Sequence, residues 1–188
     1  VGRWEPDARG RLARAAMELY AERGFDGATA PEIAERAGMH ERSFFRLFPD
    51  KREALFVGSE FTQQLLTRTI TDQPTGSPLE RVTRAIEVMC AKFQEDPACV
   101  RLRESVISAN PELIERNLAK HAEFVEAMAG TLVEQGVPDS AARLAAETGM
   151  AVFRAAFASW LPAPGAPDLP TFFRESLAEL GSSVTSSS

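Results

Sequence analysis

Cysteine, histidine and long apolar runs are scarce in this sequence of 188 residues. Two cysteines, Cys90 and Cys99, and two histidines, His40 and His121, are too few and too scattered for a disulfide framework or a closed zinc site. The longest stretch without a charge, residues 155–167, is 13 residues long and contains three prolines. A membrane-spanning helix needs about 18 or more consecutive apolar residues. Membrane-spanning proteins and disulfide-stabilised scaffolds are therefore excluded.

Closely spaced glycines are also lacking, because no two of the 12 glycines lie nearer than three positions apart. Loops that cradle nucleotide phosphates need such glycines, and the sequence has neither the Gly-x-Ser-x-Gly turn of serine hydrolases nor the His-Glu-x-x-His helix of zinc proteases. We therefore expect no enzyme activity, no cofactor and no metal ion. Glu5, Asp7 and Arg9 stand where a secretory signal would be apolar, which predicts a cytoplasmic protein.

The chain does have enough apolar side chains to bury a core, since 44% of its residues are hydrophobic and 26% are charged. Its formal net charge is −6, but the charge is unevenly divided. Residues 1–52 carry ten basic and nine acidic side chains, whereas residues 53–188 carry eleven basic and eighteen acidic ones. The N-terminal segment is therefore better suited to meet a polyanion such as DNA, provided that its basic side chains cluster on one face.

Apolar residues recur at spacings of three and four along the chain, and no segment shows the alternation of a strand. A glutamate three residues after Thr29, Asp50 and Ser77 marks the start of a helix in each case, because this pair of side chains caps free N–H groups. The pattern predicts an all-α fold with about nine helices. They are expected at residues 6–23, 30–37, 41–48, 51–72, 78–95, 97–109, 111–135, 139–161 and 169–180.

The second and third predicted helices are short and are joined by a turn at Gly38, which is the pattern of a helix-turn-helix. Glycine permits the left-handed conformation that such a turn requires. In this motif the second helix lies in the major groove of DNA. Spacing alone leaves DNA binding and simple helix packing equally open. The core of this unit is expected to contain Leu12, Leu19, Phe25, Ile33, Ala34, Ala37, Met39, Phe44 and Phe48.

The remaining side chains of the third helix favour DNA binding, since His40, Glu41, Arg42, Ser43 and Arg46 are left to face outward. Arginine can donate two hydrogen bonds to guanine, glutamate can accept one from cytosine, and serine or histidine can make a single bond to a base edge. Phosphate contacts are predicted for Arg46, Lys51 and the hydroxyl of Thr29. The alternative is a solvated surface on which the two arginines pair with Glu41 or Asp50.

Several separated elements keep the register of the N-terminal domain of the tetracycline-repressor (TetR) family, which the chain resembles over about residues 9–56. The matching segments are Arg11–Phe25, Ala28–Thr29, Ile33–Ala34, Ala37–Met39, Ser43–Phe48 and Asp50–Lys51. The resemblance implies DNA binding by the third helix, including a contact from Phe45. Phe45 replaces the usual tyrosine and lacks its phosphate-binding hydroxyl, Leu47 replaces a polar residue, and Arg42 replaces the usual glycine or proline.

The rest of the chain is similar to the family in helix order, and three segments resemble its branch of mycofactocin-system and fatty acyl-CoA-responsive regulators. These segments are Arg101–Arg103, Asn110–Leu113 and Trp160–Leu161. The expected domains are a DNA-binding domain at residues 1–50, a ligand-binding and dimerisation domain at 51–181, and a disordered tail at 182–188. The resemblance implies a homodimer formed by the eighth and ninth helices, with two recognition helices about 34 Å apart on a pseudo-palindromic operator.

Small residues on the eighth helix would let a partner helix approach closely, although the same residues could equally be buried within one subunit. These residues are Ala141, Ala142, Ala145, Ala146, Gly149, Ala155 and Ala156. A pocket for a small hydrophobic or acyl-type effector is expected to be framed by helices five to seven. Its lining would come from Met89, Phe93, Val106, Ile107, Phe124, Met128, Phe153, Phe157 and Trp160, most of which could also be ordinary core residues.

Three polar side chains, Arg103, Asn117 and His121, fall on or beside the apolar stripes and could orient that effector. For Arg103, pairing with Glu104 or Glu95 is the alternative, and His121 could be an ordinary half-buried histidine. An effector that prefers a conformation with wrongly spaced recognition helices would lower operator affinity through the long fourth helix, which predicts a repressor released by its ligand. The competing hypothesis is a helical ligand-binding dimer with weak or lost DNA recognition.

Overall fold

The computed structural model describes residues 8–163, Gly165 and residues 167–185. This part of the chain contains nine α-helices and no strand, which confirms the predicted all-α fold. The helices are α1 Ala8–Arg23, α2 Ala30–Arg36, α3 Glu41–Leu47, α4 Ser59–Asp72, α5 Pro78–Phe93, α6 Pro97–Ser108, α7 Pro111–Glu134, α8 Asp139–Trp160 and α9 Leu169–Thr185, with a 3₁₀ helix at Lys51–Phe56. None of these helices is long and apolar enough to cross a membrane.

The predicted continuous helix over residues 51–72 is wrong. The structure has the 3₁₀ helix first, and α4 begins only at Ser59. The carboxylate of Asp50 caps the 3₁₀ helix by accepting hydrogen bonds from two backbone N–H groups. The three consecutive residues 54–56 are all buried, whereas an amphipathic α-helix buries only one stripe of its surface. The 3₁₀ helix is therefore enclosed by the core of the first unit, and does not lie on that core as an amphipathic helix would.

Among the described residues, the first compact unit consists of residues 8–59 and 98–117, so it includes α6 and the beginning of α7. Of the core residues predicted for the helix-turn-helix, all are buried except Ala37 and Met39, which are half-buried against the same cluster. Val106 and Ile107 of α6 and Leu113 of α7 complete this core. Val106 and Ile107 therefore help to hold the first unit together.

The second compact unit consists of the described residues within 60–97 and 118–185, and in it α5 packs closely against α8. A Cβ atom at Gly149 would lie only 2.5 Å from Cγ1 of Val82 and 3.0 Å from Cδ1 of Ile86. The small residues Ala142, Ala145, Ala146, Gly149 and Ala156 of α8 are buried within the subunit. The prediction that these five residues face a partner subunit is therefore wrong, and the alternative of intrachain burial is confirmed for them.

Helix α9 continues to Thr185, five residues beyond its predicted end at residue 180. The hydroxyls of Ser182 and Ser183 donate hydrogen bonds to the carbonyl oxygen of Glu179, at 2.9 and 2.8 Å. These bonds satisfy serine side chains inside a helix, so a serine-rich sequence does not end the helix where its composition suggests. The remainder of the predicted tail, residues 186–188, lies outside the described residues.

Candidate functional site

The turn between α2 and α3 is built around Gly38, whose φ of +67° lies in the left-handed region. The N–H of Gly38 donates to the carbonyl of Glu35 at 2.9 Å, and the N–H of Met39 donates to the carbonyl of Ala34 at 2.8 Å. This pair of bonds is the Schellman arrangement that closes a helix C-terminus. The predicted glycine turn is confirmed, and it fixes the direction in which α3 leaves α2.

The start of α2 is a capping box, as the sequence predicted. The N–H of Glu32 donates to the hydroxyl oxygen of Thr29 at 3.4 Å, while the N–H and the hydroxyl of Thr29 donate to the Glu32 carboxylate at 3.0 and 2.7 Å. These bonds hold the pKa of Glu32 below its ordinary value. The hydroxyl proton of Thr29 is thus already donated within the protein, and its phosphate contact stays a prediction.

Lys51 fastens the loop between α1 and α2 to the 3₁₀ helix. Its ammonium group donates to the carbonyl oxygens of Phe25 and Ala28, at 2.8 and 3.0 Å, and lies 4.2 Å from the centre of the Phe25 ring. Its own carbonyl accepts a hydrogen bond of 2.6 Å from the hydroxyl of Tyr20, and burial raises the pKa of Tyr20. The sequence indicates only that residue 51 is a cation, so sequence reasoning missed these structural hydrogen bonds of Lys51. The predicted phosphate contact remains untested.

The outward face of α3 carries the predicted base-reading side chains. His40, Glu41, Arg42 and Arg46 are exposed, and Ser43 is half-buried. Within the described residues, neither arginine forms an ion pair or a hydrogen bond with its side chain. Asp50, the expected partner, instead binds Arg52 at 2.6 Å, and this contact lowers the pKa of Asp50. Among the described residues the alternative of pairing with Glu41 or Asp50 is therefore not found, and both guanidinium groups keep their donors available there.

Phe45 is a large apolar side chain on this same face, with 52% of its surface exposed. Its ring meets the buried ring of Phe44 edge to face, with 5.5 Å between centroids, and Phe44 in turn packs against Phe48 at 5.3 Å. The helix that carries the outward side chains is therefore packed through these three phenyl rings against the core of the first unit. An exposed phenyl ring cannot hydrogen-bond to phosphate, but it can contact the methyl group of thymine.

In the second unit, an aromatic cluster forms around His121 of α7. The imidazole centroid lies 6.3 Å from that of Phe124 and 6.2 Å from that of Phe153 on α8. Further ring contacts join Phe153 to Phe93 and Phe157, and Phe157 to Trp160. We refer to these six side chains, Phe93, His121, Phe124, Phe153, Phe157 and Trp160, as the aromatic cluster. All six were predicted effector residues, and their ligand role stays a prediction, as it does for the buried Met89 and Met128.

Arg103 and Asn117, by contrast, belong to the first unit. The guanidinium group of Arg103 donates to the carbonyl of Leu55 at 2.8 Å and to the side-chain oxygen of Asn117 at 3.2 Å, and it lies 5.0 Å from the Phe56 ring centre. Burial lowers the pKa of Arg103 from its ordinary value, with Glu104 opposing that shift. Arg103 therefore links α6 to the 3₁₀ helix and to α7. An effector contact by Arg103 or Asn117 stays a prediction, and these internal bonds do not favour it.

Two family models match the chain. The model of bacterial regulatory proteins of the TetR family matches residues 12–57, which include α2, α3 and the 3₁₀ helix. The model of the MftR C-terminal domain matches residues 76–185, which is more than half of the chain. The two matches together cover both the outward face of α3 and the aromatic cluster.

Individual relatives agree with these matches. The transcriptional regulator TcmR of Streptomyces glaucescens is 27% identical over 128 residues, and the match spans 66% of this chain and 56% of that protein. Bacillus subtilis FadR with stearoyl-CoA is 19% identical, covers 90% of this chain and 95% of that one, and gives a TM-score of 0.63. SmeT is the repressor of a Stenotrophomonas maltophilia multidrug efflux pump. Its complex with triclosan is 20% identical in sequence, the match covers 93% of this chain and 91% of that one, and the TM-score is 0.65. The two structures show a common fold.

Proposed function

The chain belongs to the TetR family of bacterial regulatory proteins, and from this premise we propose that it is a transcriptional repressor whose dimer binds a pseudo-palindromic operator and is released by a hydrophobic effector. The observation that carries the proposal is the outward face of α3. Arg42 and Arg46 are exposed there without partners in the described part of the chain, and the Gly38 turn and the Phe44 ring hold the helix in place. Two unpaired guanidinium groups on one short helix suit a major groove lined by base edges and phosphates.

Replacing Arg42 by alanine is expected to relax the choice of base at one position of each half-site by about 1–3 kcal/mol, because a bidentate contact to guanine would be lost. Arg46→Ala is the matched variant, since it removes the same side chain one turn further along α3. If Arg46 contacts phosphate, Arg46→Ala should lower the affinity for all sequences about equally and reduce the salt dependence by about one counterion. Fluorescence anisotropy with single-substituted duplexes at several salt concentrations measures both effects. An unchanged preference at every position in Arg42→Ala would remove Arg42 from base recognition.

The proposed dimer uses a part of α8 that differs from the buried small residues. Leu144 is 68% exposed, and Ala151, Ala155 and Ala158 are exposed at following positions spaced by seven, four and three residues. This spacing places all four side chains on one side of the helix. We name these four residues the α8 outer stripe. An exposed leucine followed by three alanines offers an apolar surface on which a second copy of α8 can pack closely.

The effector is proposed to bind at the aromatic cluster. Rings from α5, α7 and α8 supply apolar surface, and His121 contributes a polar group at its centre. The structurally similar FadR and SmeT, in complex with stearoyl-CoA and triclosan respectively, support a small hydrophobic or acyl-type ligand. Helix α7 contributes to both units, so we propose it, in place of the predicted continuous fourth helix, as the connection through which ligand binding alters operator affinity.

Operator binding is tested with the upstream sequence of the protein's own gene. We expect the affinity to fall steeply as salt rises, because phosphate neutralisation releases counterions. We also expect preference for that duplex over random competitor DNA. A protein that binds hydrophobic ligands but shows neither property would instead be a ligand-binding dimer that has lost DNA recognition. Phe45 and Leu47, which replace polar residues of the family, are the observations that favour this second candidate.

A further inference from the structure

Arg81 places a positive charge inside the second unit. It lies in the first turns of α5 and is only 5% exposed. Its Nε and Nη2 atoms are buried and have no hydrogen-bond partner in the part of the chain that the structure describes. An arginine side chain does not lose its proton in proteins. Two donors of a permanent cation are thus buried without an acceptor.

Arg84 lies three residues further along α5 and adds a second guanidinium group. One of its terminal nitrogens donates to the carbonyl oxygens of Gln73 and Thr75. Its Nε atom is buried and lacks a partner among the described residues. Residues three apart in a helix are neighbours on its surface. Arg81 and Arg84 therefore leave three buried N–H-bearing nitrogens at the same end of α5.

The nearest acidic side chain in the sequence does not neutralise this pair. The carboxylate of Glu80 accepts a hydrogen bond of 2.6 Å from the backbone N–H of Ser77, in the capping box that begins α5. This bond, rather than Arg84, is the main reason that the pKa of Glu80 is lowered. No ion pair joins Arg81 or Arg84 to a carboxylate within the described residues. The charge of Arg81 thus has no ion-pair partner in the part of the chain that the structure describes.

An uncompensated buried charge is strongly unfavourable, and each unsatisfied buried donor requires an explanation such as a bound water or ion. Water would satisfy the hydrogen bonds but would leave the charge uncompensated. A carboxylate or phosphate group accepts the hydrogen bonds and also compensates the charge, since each can form two parallel hydrogen bonds with a guanidinium group. The chemistry of Arg81 therefore favours an anion.

We propose that Arg81, with Arg84 beside it, binds the acidic group of an elongated amphipathic effector. The inference rests on the proposed sensing function. It assigns a binding site to the acidic group of the ligand, whereas the aromatic cluster would bind only its apolar part. Phe93 of that cluster is twelve residues further along α5, which corresponds to about 18 Å along a helix. On the intervening turns Met89 is buried and apolar, whereas Val82 and Ile86 pack against Gly149 of α8 and leave no room for a ligand on that face. Such a ligand would place its acid at Arg81 and its hydrocarbon chain toward the cluster.

The test compares three ligands with the same ten-carbon chain, namely decanoate, decyl phosphate and 1-decanol, by calorimetric titration of the full chain below their micelle concentrations. We expect the wild-type protein to bind at least one of the two acids about tenfold or more tightly than the alcohol, because a charge-assisted hydrogen bond discriminates by about that factor. Arg81→Met should lose this preference while retaining affinity for 1-decanol. Arg68→Met removes an arginine on α4 whose side chain is 83% exposed and should leave the preference unchanged.

A second measurement addresses folding. Because Arg81→Met removes a charge that lacks a partner, the thermal unfolding midpoint of this variant in chloride buffer should equal or exceed that of the wild type. Arg81→Lys keeps the charge but not the forked guanidinium group. This variant should retain only part of the preference for acids over the alcohol. Equal affinity of acids and alcohol for the wild type, or an acid preference that survives in Arg81→Met and Arg81→Lys, would overturn the proposal. A response to inorganic phosphate without any acid preference among the ten-carbon ligands would also overturn it. None of these assays contains DNA, so failure of operator recognition is measured separately.

Discussion

Replacing Leu144 by glutamate is expected to convert the proposed dimer into a monomer and to lower operator affinity by at least about 100-fold. Leu144 is the most exposed of the large apolar side chains in the described residues, and in a two-fold interface the same residue from both copies lies in one patch. A glutamate there would bury charge without a partner. Since each chain holds one α3, a monomer contacts one half-site and loses the effective-concentration gain of about 10²–10⁴ that linkage of two sites provides.

Size-exclusion chromatography with light scattering measures the first effect, and anisotropy with a duplex that carries both half-sites measures the second. Leu118→Glu is the matched control, because Leu118 is 55% exposed on α7 and lies outside the α8 outer stripe. The control should remain a dimer with wild-type operator affinity. If Leu144→Glu stays dimeric while its far-ultraviolet spectrum shows a folded chain, the α8 outer stripe is not the interface.

Replacing Phe44 by alanine is expected to lower the free energy of unfolding of the first unit by about 3–5 kcal/mol, the usual cost of truncating a buried phenylalanine. The Phe44 ring is fully buried between Phe45 and Phe48, so the change leaves a cavity directly beneath the recognition face. We expect sequence-specific DNA binding to be lost with it. Hydrogen exchange of the α1–α3 amides is the appropriate measurement, because it reports on this unit separately from the second one.

The adjacent residue provides the control. Phe45→Ala removes the same side chain from the same helix, but that ring is half exposed, so exchange in α1–α3 should change little. Its effect should appear in DNA binding alone, as a weaker preference at a position read through a thymine methyl group. Equal destabilisation by the two variants would show that the ring of Phe45 packs in solution as deeply as that of Phe44, and would contradict the described recognition face.

Local features of the fold were predictable because their causes lie within a few residues. The capping boxes at Thr29 and Ser77 and the left-handed turn at Gly38 each depend on side chains and backbone preferences inside one helix end. The helix-turn-helix core followed from apolar spacing in the same way. These features also place Arg42 and Arg46 on the outward face of α3, so much of the candidate DNA-binding surface could be derived before the structure.

Features that depend on tertiary contacts could not be predicted. The break between the 3₁₀ helix and α4 follows a segment, residues 54–56, that is buried in the core of the first unit. The small residues on α8 suited either a partner or α5, and only the contact at Gly149 decides between them. Lys51 and Arg103 show the same limit, because their acceptors are backbone carbonyls distant in sequence. The unpartnered donors of Arg81 are visible only once the side chains surrounding α5 are in place.

The central claim is that the outward face of α3 recognises a specific base sequence twice, at a fixed separation. Selection of bound duplexes from a randomised pool by the purified wild-type protein tests it most directly. We predict enrichment of an inverted repeat whose half-sites are about one helical turn apart, or a multiple of it, and loss of that enrichment in the Arg42→Ala, Arg46→Ala double variant. A pool that stays random after repeated rounds with the folded protein would contradict the claim.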